Sequence, residues 1–565
     1  MNGALLLTIA ATAFLGGYFL YARFLERKLG VDPERLTPAH TKNDGVDYVP
    51  AHPAVLLGHH FASIAGAGPI VGPVLAAEFG WASVALWVIL GCIFIGAAHD
   101  MIAMFLSVRH GGESIGTVIG TILGKPGKIL FLLFSWSALV LVVTEFTRQI
   151  AGTFTAAPGV ASASLLFIAE AIVFGLCVNK LKVSVLKASL VFVPLVFATV
   201  WIGNLIPLDL TKLGLSATQV SMVWTVAVMV YCFVASTCPV WILLQPRDYL
   251  NSYLLYAMMA LGFVGVFVAH PTLHTDAFAG FQAIGRTGAV DTLFPFLFVT
   301  VACGACSGFH ALVASGTSAK QLDSEKSIRP IGYGGMLLEG VLAIIALVGV
   351  AGTYESQAAY TDAIKGLEPV QMFAATIAGF CVKMFTAFGI DAETGKSVAE
   401  SFMLLSVSAF LMTTVDSGTR LARFSWQELF KTGAVSDSKT AQPSQSVFGN
   451  MYVGTFLVCA PIAGLLLGDP ATARQIWTLF ASTNQLLAAL TLLAATLWFA
   501  KNRKPCWMTA VPMVFMLSVS SWALGAIFLK SVQSSDVVRA SAAGFLLVLA
   551  TVVVCLGVKT VAKAR

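Results

Sequence analysis

Acidic side chains fall inside several stretches that are otherwise apolar enough to lie in a membrane. Glu170 and Glu339 lie near the middle of such stretches, and Asp100 lies nearer one end. An isolated carboxylate in hydrocarbon is costly, so each of these three is a candidate for binding a coupling proton or cation. Glu145 is followed by Arg148 one helical turn later, and this pair could simply neutralise itself.

Histidine and lysine side chains add further groups that can gain or lose a proton. His310 lies deep in an apolar stretch, where it could bind substrate or relay a proton, whereas His59 and His60 could simply mark a membrane interface. Lys187 begins another apolar stretch, and its ammonium could replace a metal cation there. The alternative for Lys187 is a side chain that reaches back to the aqueous surface. We find no nucleophile beside a base and no metal-ligand cluster in the sequence, which counts against an enzyme.

The helix that would position this chemistry cannot be continuous. Residues 58–79 read GHHFASIAGAGPIVGPVLAAEF, and Pro69 and Pro73 both lack the backbone N–H that a helix needs. In hydrocarbon, the freed carbonyl groups must face protein or a water-filled cavity. A kinked helix that packs through small residues is one explanation. The other is a binding site in the middle of the membrane, formed by Ala65, Gly66, Ala67, Gly68 and Pro69.

The composition identifies an integral membrane protein. Of the 565 residues, 57% are hydrophobic and 11% are charged, and the mean hydropathy is +0.84. The first apolar run, 4–20, lacks a basic leader and a convincing cleavage site, so we expect a retained helix rather than a signal peptide. The net charge of +6 says nothing about a nucleic-acid partner, because most basic residues fall in short loops between apolar stretches. Cys303 and Cys306 form a CxxC pair without visible partners for redox or zinc chemistry.

Apolar stretches of about 20 residues predict roughly fifteen transmembrane helices. They are 3–22, 55–78, 82–106, 128–151, 161–178, 184–206, 218–245, 249–270, 292–316, 330–351, 396–416, 450–468, 474–500, 506–530 and 538–558. Residues 370–388 are also apolar enough to cross, but they carry Lys383. We expect a re-entrant or surface-packed segment there, and sixteen crossings are the alternative.

The basic residues predict the orientation of these helices. With the N-terminus outside, roughly 25 of the 34 Lys and Arg residues lie on the inner side, as the positive-inside rule requires. An odd number of crossings then places the C-terminus inside.

A second interruption falls in 236–246, where Pro239 frees the carbonyl of Ala235. It lies five helices after the first and runs in the opposite direction, which is what an inverted-topology repeat requires. We therefore expect an all-α polytopic membrane protein with two inverted five-helix repeats and extra helices. The predicted units are an N-terminal helix and cytoplasmic loop at 1–54, repeats at 55–206 and 207–420, a cytoplasmic loop at 421–449 and a C-terminal helical region at 450–565.

Four blocks of sequence resemble the carbon starvation protein A family. They are NDGVDYVP (43–50), GHHFASIAGAGPIVGPVLAAEFGW (58–81), PVWILLQPRDYLNSYLL (239–255) and SGFHALVASGT (307–317). The resemblance covers nearly the whole chain. It implies a bacterial inner-membrane importer of the amino acid-polyamine-organocation (leucine-transporter-like) type, associated with peptide uptake and, in relatives, with pyruvate uptake by cation symport. The N-terminus would then be periplasmic and the C-terminus cytoplasmic.

The two interruptions, if they face each other, would bring Ser236, Thr237 and Cys238 to the centre, where helix N-termini favour a substrate carboxylate. In folds of this type a coupling cation often lies against the eighth core helix, here 292–316. That helix offers oxygen donors at Thr300, Ser307, Ser315 and Thr317, unless these hydroxyls bond to their own helix. At the cytoplasmic mouth, a gate could form from Arg247, Asp248, Asp416 and Arg420.

The leading hypothesis is a secondary active importer of a small carboxylate such as pyruvate, or of short peptides, driven by a proton or sodium gradient during carbon starvation. A peptide needs an acid for its ammonium group, so pyruvate is slightly favoured if no acid faces the cavity. A membrane-embedded enzyme or a nutrient sensor is the alternative. We expect no cofactor besides the proton or Na⁺ and no nucleic-acid partner, and the sequence leaves the oligomeric state open.

Overall fold

Long apolar helices make up most of the chain. The computed structural model describes residues 1–45, 47–239, 241–286, 288–430, 447–468 and 476–564. Helices dominate because a backbone in hydrocarbon must satisfy its own N–H and C=O groups. Within these described ranges, the only strands are β1 (Gln282–Ile284) and β2 (Val290–Thr292), which form an antiparallel ribbon in a loop.

The helices up to the β ribbon are α1 (Gly3–Gly16), α2 (Ala22–Leu29), α3 (Pro38–Thr41), α4 (Pro53–Ile64), α5 (Gly68–Ala76), α6 (Trp81–Gly91), α7 (Ala97–Arg109), α8 (Ile115–Ala156), α9 (Pro158–Asn179), α10 (Val185–Leu205), α11 (Ala217–Thr237) and α12 (Leu244–Ala269). Those after it are α13 (Leu293–Thr300), α14 (Ala302–Ala305), α15 (Gly308–Val313), α16 (Ala319–Gln321), α17 (Gly334–Thr353), α18 (Gln357–Gly366), α19 (Pro369–Ala387), α20 (Ala392–Leu429), α21 (Met451–Leu466), α22 (Ile476–Lys501), α23 (Trp507–Gln533) and α24 (Val537–Ala564).

The bundle has two faces, which we name by the chain terminus at each. At the N face, Asn2 pairs with Thr272 in the loop after α12. At the C face, Arg109 at the end of α7 donates to the carbonyl of Gly30 at 2.7 Å. Thirteen of the described helical segments are long and apolar enough to cross a membrane, or fourteen if the bent pair α4–α5 is one span, against the roughly fifteen that we predict.

The segment 370–388 forms α19 but does not cross the bundle. α19 begins where Glu368 lies 3.5 Å from Arg148 of α8, and it rises to the N face, where Phe380 packs against Gly352. α20 then runs toward the C face, where Asp416 meets Arg247 at the start of α12. α19 is long and apolar enough to span a membrane. Since it starts inside the bundle and ends on the N face, α18 and α19 form a re-entrant hairpin, which is one of the two predicted arrangements.

The first predicted break is present in the middle of a span. α4 ends at Ile64 and α5 begins at Gly68, with a bend of 46° between them. Ala65 has φ −76° and ψ 62°, which is outside the helical region. Pro69 lies in the first turn of α5, where the missing N–H has no helical acceptor to lose. Residues 65–67 are therefore unwound, as the sequence predicts.

The second break does not lie where we predicted it. α11 is continuous, and Pro239 lies in the C-face turn between α11 and α12. The broken span is instead the one after the β ribbon, which is divided into α13, α14 and α15 with extended backbone at Cys306 and Ser307. Glycine permits this break, because a Cβ on Gly308 would lie 2.5 Å from the backbone nitrogen of Ala488. Proline marks a break in one place and an ordinary turn in the other.

The two broken spans begin two repeats that run in opposite directions. The first repeat is α4–α5, α6–α7, α8, α9 and α10, and the second is α13–α15, α17, α20, α21 and α22. Equivalent members pack together, α5 on α14, α6 on α17 and α8 on α20. The fold is thus an all-α polytopic membrane protein with inverted five-helix repeats and extra helices. The second repeat runs from 293 to 501 rather than from 207 to 420, because α11 and α12 stand between the repeats. The predicted loop 421–449 lies largely outside the described residues.

Candidate functional site

The two broken spans meet at the centre of the bundle. A Cβ on Gly68 would overlap the side chain of Cys303, and a Cβ on Gly66 would lie 2.8 Å from the hydroxyl of Thr414. A cavity of about 10 Å³ lies between these residues, with room for about one water molecule. The predicted segment from Ala65 to Pro69 is therefore packed against the second broken span, and glycine is what allows the close approach.

Two adjacent amides on α22 satisfy the backbone of the second broken span. Asn484 Oδ1 accepts from the backbone N–H of Phe309 at 2.9 Å, and its amide donates to Ser307 Oγ at 3.0 Å. The amide of Gln485 donates to the carbonyl of Phe298 at 2.5 Å. These groups lie where the breaks remove the usual helical partners. We did not predict Asn484 or Gln485, although the polar run STNQ at 482–485 inside an apolar stretch was a usable signal.

A chain of buried titratable side chains lies beside the first break. Asp100 Oδ2 lies 2.7 Å from His310 Nδ1, and Asp100 Oδ1 lies 2.7 Å from His99 Nδ1. On the other side of its ring, His310 Nε2 lies 3.2 Å from Glu339 Oε2. All four side chains are 0% exposed. The two carboxyls and two imidazoles thus form one continuous set of buried contacts, which we call the proton cluster.

The proton cluster joins residues to which we had given separate roles. Asp100 and Glu339 were predicted to bind a coupling ion, and His310 was predicted to bind substrate. The structure places His310 between the two acids, so both of its ring nitrogens face carboxylates. His99 was missed, although a His-Asp pair inside an apolar stretch could have indicated it. His60 lies nearby, with its Nδ1 2.8 Å from Ser318 Oγ.

An open cavity of about 290 Å³ leads from the N face toward the first break. Arg148 donates to Glu145 at 2.8 Å in its wall, which is the predicted pair. Phe146 and Phe480, an edge-to-face pair with 5.5 Å between centroids, line the small central cavity, whereas Glu145, the neighbour of Phe146, lines the open one. The charged residues of the wall are Glu78, Glu145, Arg148, Arg286, Asp291, Lys530 and Arg539.

A buried ionic network closes the C face. The guanidinium of Arg247 bonds both carboxylate oxygens of Asp416, with Nη2 3.0 Å from Oδ1, and lies 3.1 Å from Asp248. The hydroxyl of Tyr231 donates to Asp416 at 2.9 Å. Arg247 and Asp416 are both 0% exposed. Three of the four residues predicted to form a gate therefore share one network, and His59 lies 3.9 Å from its Asp248.

The fourth gate residue belongs to the turn after α11. Arg420 donates to the carbonyls of Ala235 and Cys238 at 2.8 and 2.7 Å, so it caps the end of α11 rather than pairing with an acid. Ser236 lies 3.3 Å from Thr455 of α21. The predicted substrate residues Ser236, Thr237 and Cys238 therefore lie at the C face, and they do not line the central cavity.

The remaining predicted ion-binding residues are dispersed. Ser315 and Thr317 donate their hydroxyls to carbonyls one turn earlier in their own helix, at 2.7 and 2.9 Å, which is the alternative that we described. Thr300 lines the open cavity, and Lys187 is exposed at the start of α10. Glu170 is buried in α9, and within the described residues neither of its carboxylate oxygens has a hydrogen-bond partner.

Comparison with known proteins identifies the family. The profile of carbon starvation protein CstA matches residues 2–362 and 353–523. The peptide transporter CstA of Escherichia coli (strain K12) is 34% identical, covering 92% of this chain and 80% of that protein. The pyruvate/proton symporter BtsT of the same organism is 32% identical, covering 92% of this chain and 81% of that protein. Among solved structures, MhsT in complex with L-phenylalanine aligns with 89% of this chain and 99% of that chain at 13% identity and a TM-score of 0.47. Because the profile matches nearly the whole sequence and the relatives align along most of their length, this chain belongs to the carbon starvation protein CstA family.

Proposed function

We propose that the protein is a secondary active importer that carries a small carboxylate or a short peptide together with a coupling cation. The main observation in support is that a cavity of about 290 Å³ opens at the N face while the buried Arg247–Asp416 network closes the C face. A central site open to one side of the membrane at a time is what alternating access requires. The names of the relatives, a peptide transporter and a pyruvate/proton symporter, support transport over an enzymatic reaction.

The N face lies in the periplasm in this proposal, and the C face lies in the cytoplasm of a bacterial inner membrane. Most of the Lys and Arg residues that the structure describes belong to the loops and helix ends of the C face, as the positive-inside rule requires of a cytoplasmic side. The open cavity then faces the periplasm, so a nutrient would enter it from outside.

The coupling ion in this proposal is a proton bound by Asp100, His310 and Glu339. An imidazole in contact with carboxyl groups can pass a proton between them, and His310 Nδ1 is hydrogen-bonded to Asp100 while its Nε2 lies 3.2 Å from Glu339. The cluster also touches the region that must move during transport, since α15, which carries His310, packs against α4.

Both substrate classes fit the open cavity. We expected pyruvate to be favoured only if no acid faced the cavity, but Glu78, Glu145 and Asp291 all line it. A dipeptide would therefore find acidic partners for its ammonium and basic partners for its carboxylate. The volume of about 290 Å³ is at the small end of ligand pockets, which suits a monocarboxylate or a dipeptide.

Uptake into proteoliposomes tests this function. Labelled pyruvate and labelled Ala-Ala would be supplied under an imposed inward proton gradient or an imposed inward sodium gradient. We expect an inward proton gradient to drive accumulation of at least one substrate, and a protonophore to abolish it. Protein-free liposomes control for diffusion of pyruvic acid. If neither gradient drives accumulation of either substrate, the importer is excluded, and accumulation driven by sodium alone would exclude the proton assignment.

A further inference from the structure

The tip of the re-entrant hairpin places a carboxylate between two arginines of the open cavity. Glu368 precedes α19, and its carboxylate accepts from Arg286 at 2.6 and 2.9 Å and lies 3.5 Å from Arg148. Arg148 and Arg286 both line the cavity, and their side chains are 18% and 23% exposed. Two guanidiniums from different parts of the chain therefore converge on one carboxylate at a place that solvent reaches from the N face.

The charges around these arginines show why a carboxylate is needed there. Glu145, whose side chain is 1% exposed, pairs with Arg148 at 2.8 Å from within the same helix. The two guanidinium charges less the one Glu145 charge leave a net charge of +1, which Glu368 cancels. Guanidiniums bind any suitably placed carboxylate in two-pronged fashion. A carboxylate that arrives from the N face would meet the same donors that Glu368 occupies.

We propose that Arg148 and Arg286 form an outer carboxylate-binding subsite in which Glu368 is the resident occupant, and that the carboxylate of the substrate replaces Glu368. The subsite rests on the proposed transport function and supplies the first contact of the substrate with the protein. Exchanging one carboxylate for another leaves neither guanidinium without a counter-charge, so the exchange avoids the cost of an unpaired, partly buried ion. A neutral analogue of the substrate cannot make this exchange.

The replacement of Glu368 acts on the first broken span through the hairpin. The hydroxyl of Tyr360 on α18 donates to the carbonyl of Val74 on α5 at 2.6 Å, and the amide of Gln357 donates to the carbonyl of Ala77 at 3.1 Å. α19 also packs on α5. When the substrate carboxylate releases Glu368, it therefore loosens the end of a hairpin that is bonded to α5, next to the unwound segment 65–67.

Binding measurements test the subsite without requiring transport. Isothermal titration of wild-type protein and Glu368→Gln in nanodiscs would use pyruvate and its neutral methyl ester, and Ala-Ala and its C-terminal amide. Because Glu368→Gln removes the internal competitor, it should bind each carboxylate about three- to tenfold more tightly, the range expected of a partly exposed charged pair. Arg286→Gln should weaken carboxylate binding by a similar factor. Both variants should leave the affinity of the neutral methyl ester unchanged.

Two matched variants separate this exchange from a general change in charge. Asp362→Asn removes an exposed carboxylate of α18 that pairs with Lys365 at 3.3 Å outside the cavity, and it should change no affinity. Asp291→Asn removes a carboxylate of the cavity wall that pairs with Lys530 at 2.9 Å rather than with an arginine of the subsite, and it should tighten binding less than Glu368→Gln does. If Asp291→Asn and Glu368→Gln raise the affinity for carboxylates equally, or if Glu368→Gln does not raise it, the subsite is excluded. Gradient-driven uptake with unchanged affinities would reject only the subsite, whereas absence of uptake would reject the transport function.

Discussion

Asp416→Asn removes one partner of the network that closes the C face. Arg247 and Asp416 are both fully buried, and the variant would leave Arg247 with Asp248, 3.1 Å away, as its charged partner. Breaking a buried ion pair costs about 3–5 kcal/mol, because the remaining charge is uncompensated. Since Asp248 stays in place, we take the lower end, about 3 kcal/mol, which corresponds to a factor of about 150 in the ratio of closed to open C faces.

Modification of a cysteine placed at residue 236 reports this opening. Ser236 is fully buried at the end of α11. In a background without the native cysteines, Ser236→Cys should react slowly with a membrane-impermeant maleimide in inside-out vesicles. Adding Asp416→Asn should raise the rate of this modification by up to about 150-fold. Tyr231→Phe is the matched control, because it removes no charge, only the hydroxyl that donates to Asp416 at 2.9 Å and accepts from Arg247. The two hydrogen bonds together are worth about 2 kcal/mol, so this control should raise the rate of modification only about thirtyfold.

Two outcomes would refute this reasoning about the gate. If Asp416→Asn leaves the rate at the wild-type value in a protein whose helical content is intact, the network does not hold the C face shut. If Tyr231→Phe raises the rate as much as Asp416→Asn, the buried charge is not the cause. Replacing Arg247 together with both of its acidic partners, Asp248 and Asp416, by apolar residues should return the rate toward the wild-type value, because none of the three charges remains unpaired.

Three further substitutions test the centre of the bundle. His310→Gln should abolish proton-driven accumulation and preserve exchange of labelled for unlabelled substrate, because the proton cluster is broken while the open cavity is unchanged; retained accumulation would exclude His310 from the proton path. Gly68→Ala should slow uptake and lower stability by about 1–3 kcal/mol, since the new Cβ overlaps Cys303, and Cys303→Gly in the same chain should recover part of the loss. If Gly68→Ala takes up substrate at the wild-type rate, the break is a kink that serves packing and not a part of the transport site. Asn484→Ala should lower the thermal midpoint by the equivalent of about 1–3 kcal/mol, because the N–H of Phe309 loses its acceptor; an unchanged midpoint would show that another group takes over.

The first break and the crossings could be read from local sequence, but the second break could not. Pro69 removes a backbone donor inside an apolar stretch, so the interruption follows from covalent chemistry alone. Pro239 also lacks a backbone N–H, yet it lies in a turn, because α11 has already ended at Thr237. The actual second break depends on Gly308 meeting α22, and on Asn484 accepting from Phe309. Both are contacts between segments far apart in the chain, which no periodicity reveals.

The site was predictable as a set of residues but not as an arrangement. Asp100 and Glu339 could each be predicted, because burying a charge is costly. Only the packing of α7, α15 and α17 shows that His310 lies between them. The pair of Glu145 and Arg148 was visible from helical spacing. Glu368, more than 200 residues away, was not, because its role depends on the re-entrant hairpin reaching α8.

The central claim is that substrate and proton cross together through the cluster of Asp100, His310 and Glu339. Proteoliposomes loaded with a fluorescent pH indicator test it most directly, with no gradient imposed and with pyruvate or Ala-Ala added outside. We expect the lumen to acidify with wild-type protein and to stay at its starting pH with Glu339→Gln, even though that variant still binds the substrate. Uptake of labelled substrate by the wild type without acidification, or full acidification with Glu339→Gln, would contradict the claim.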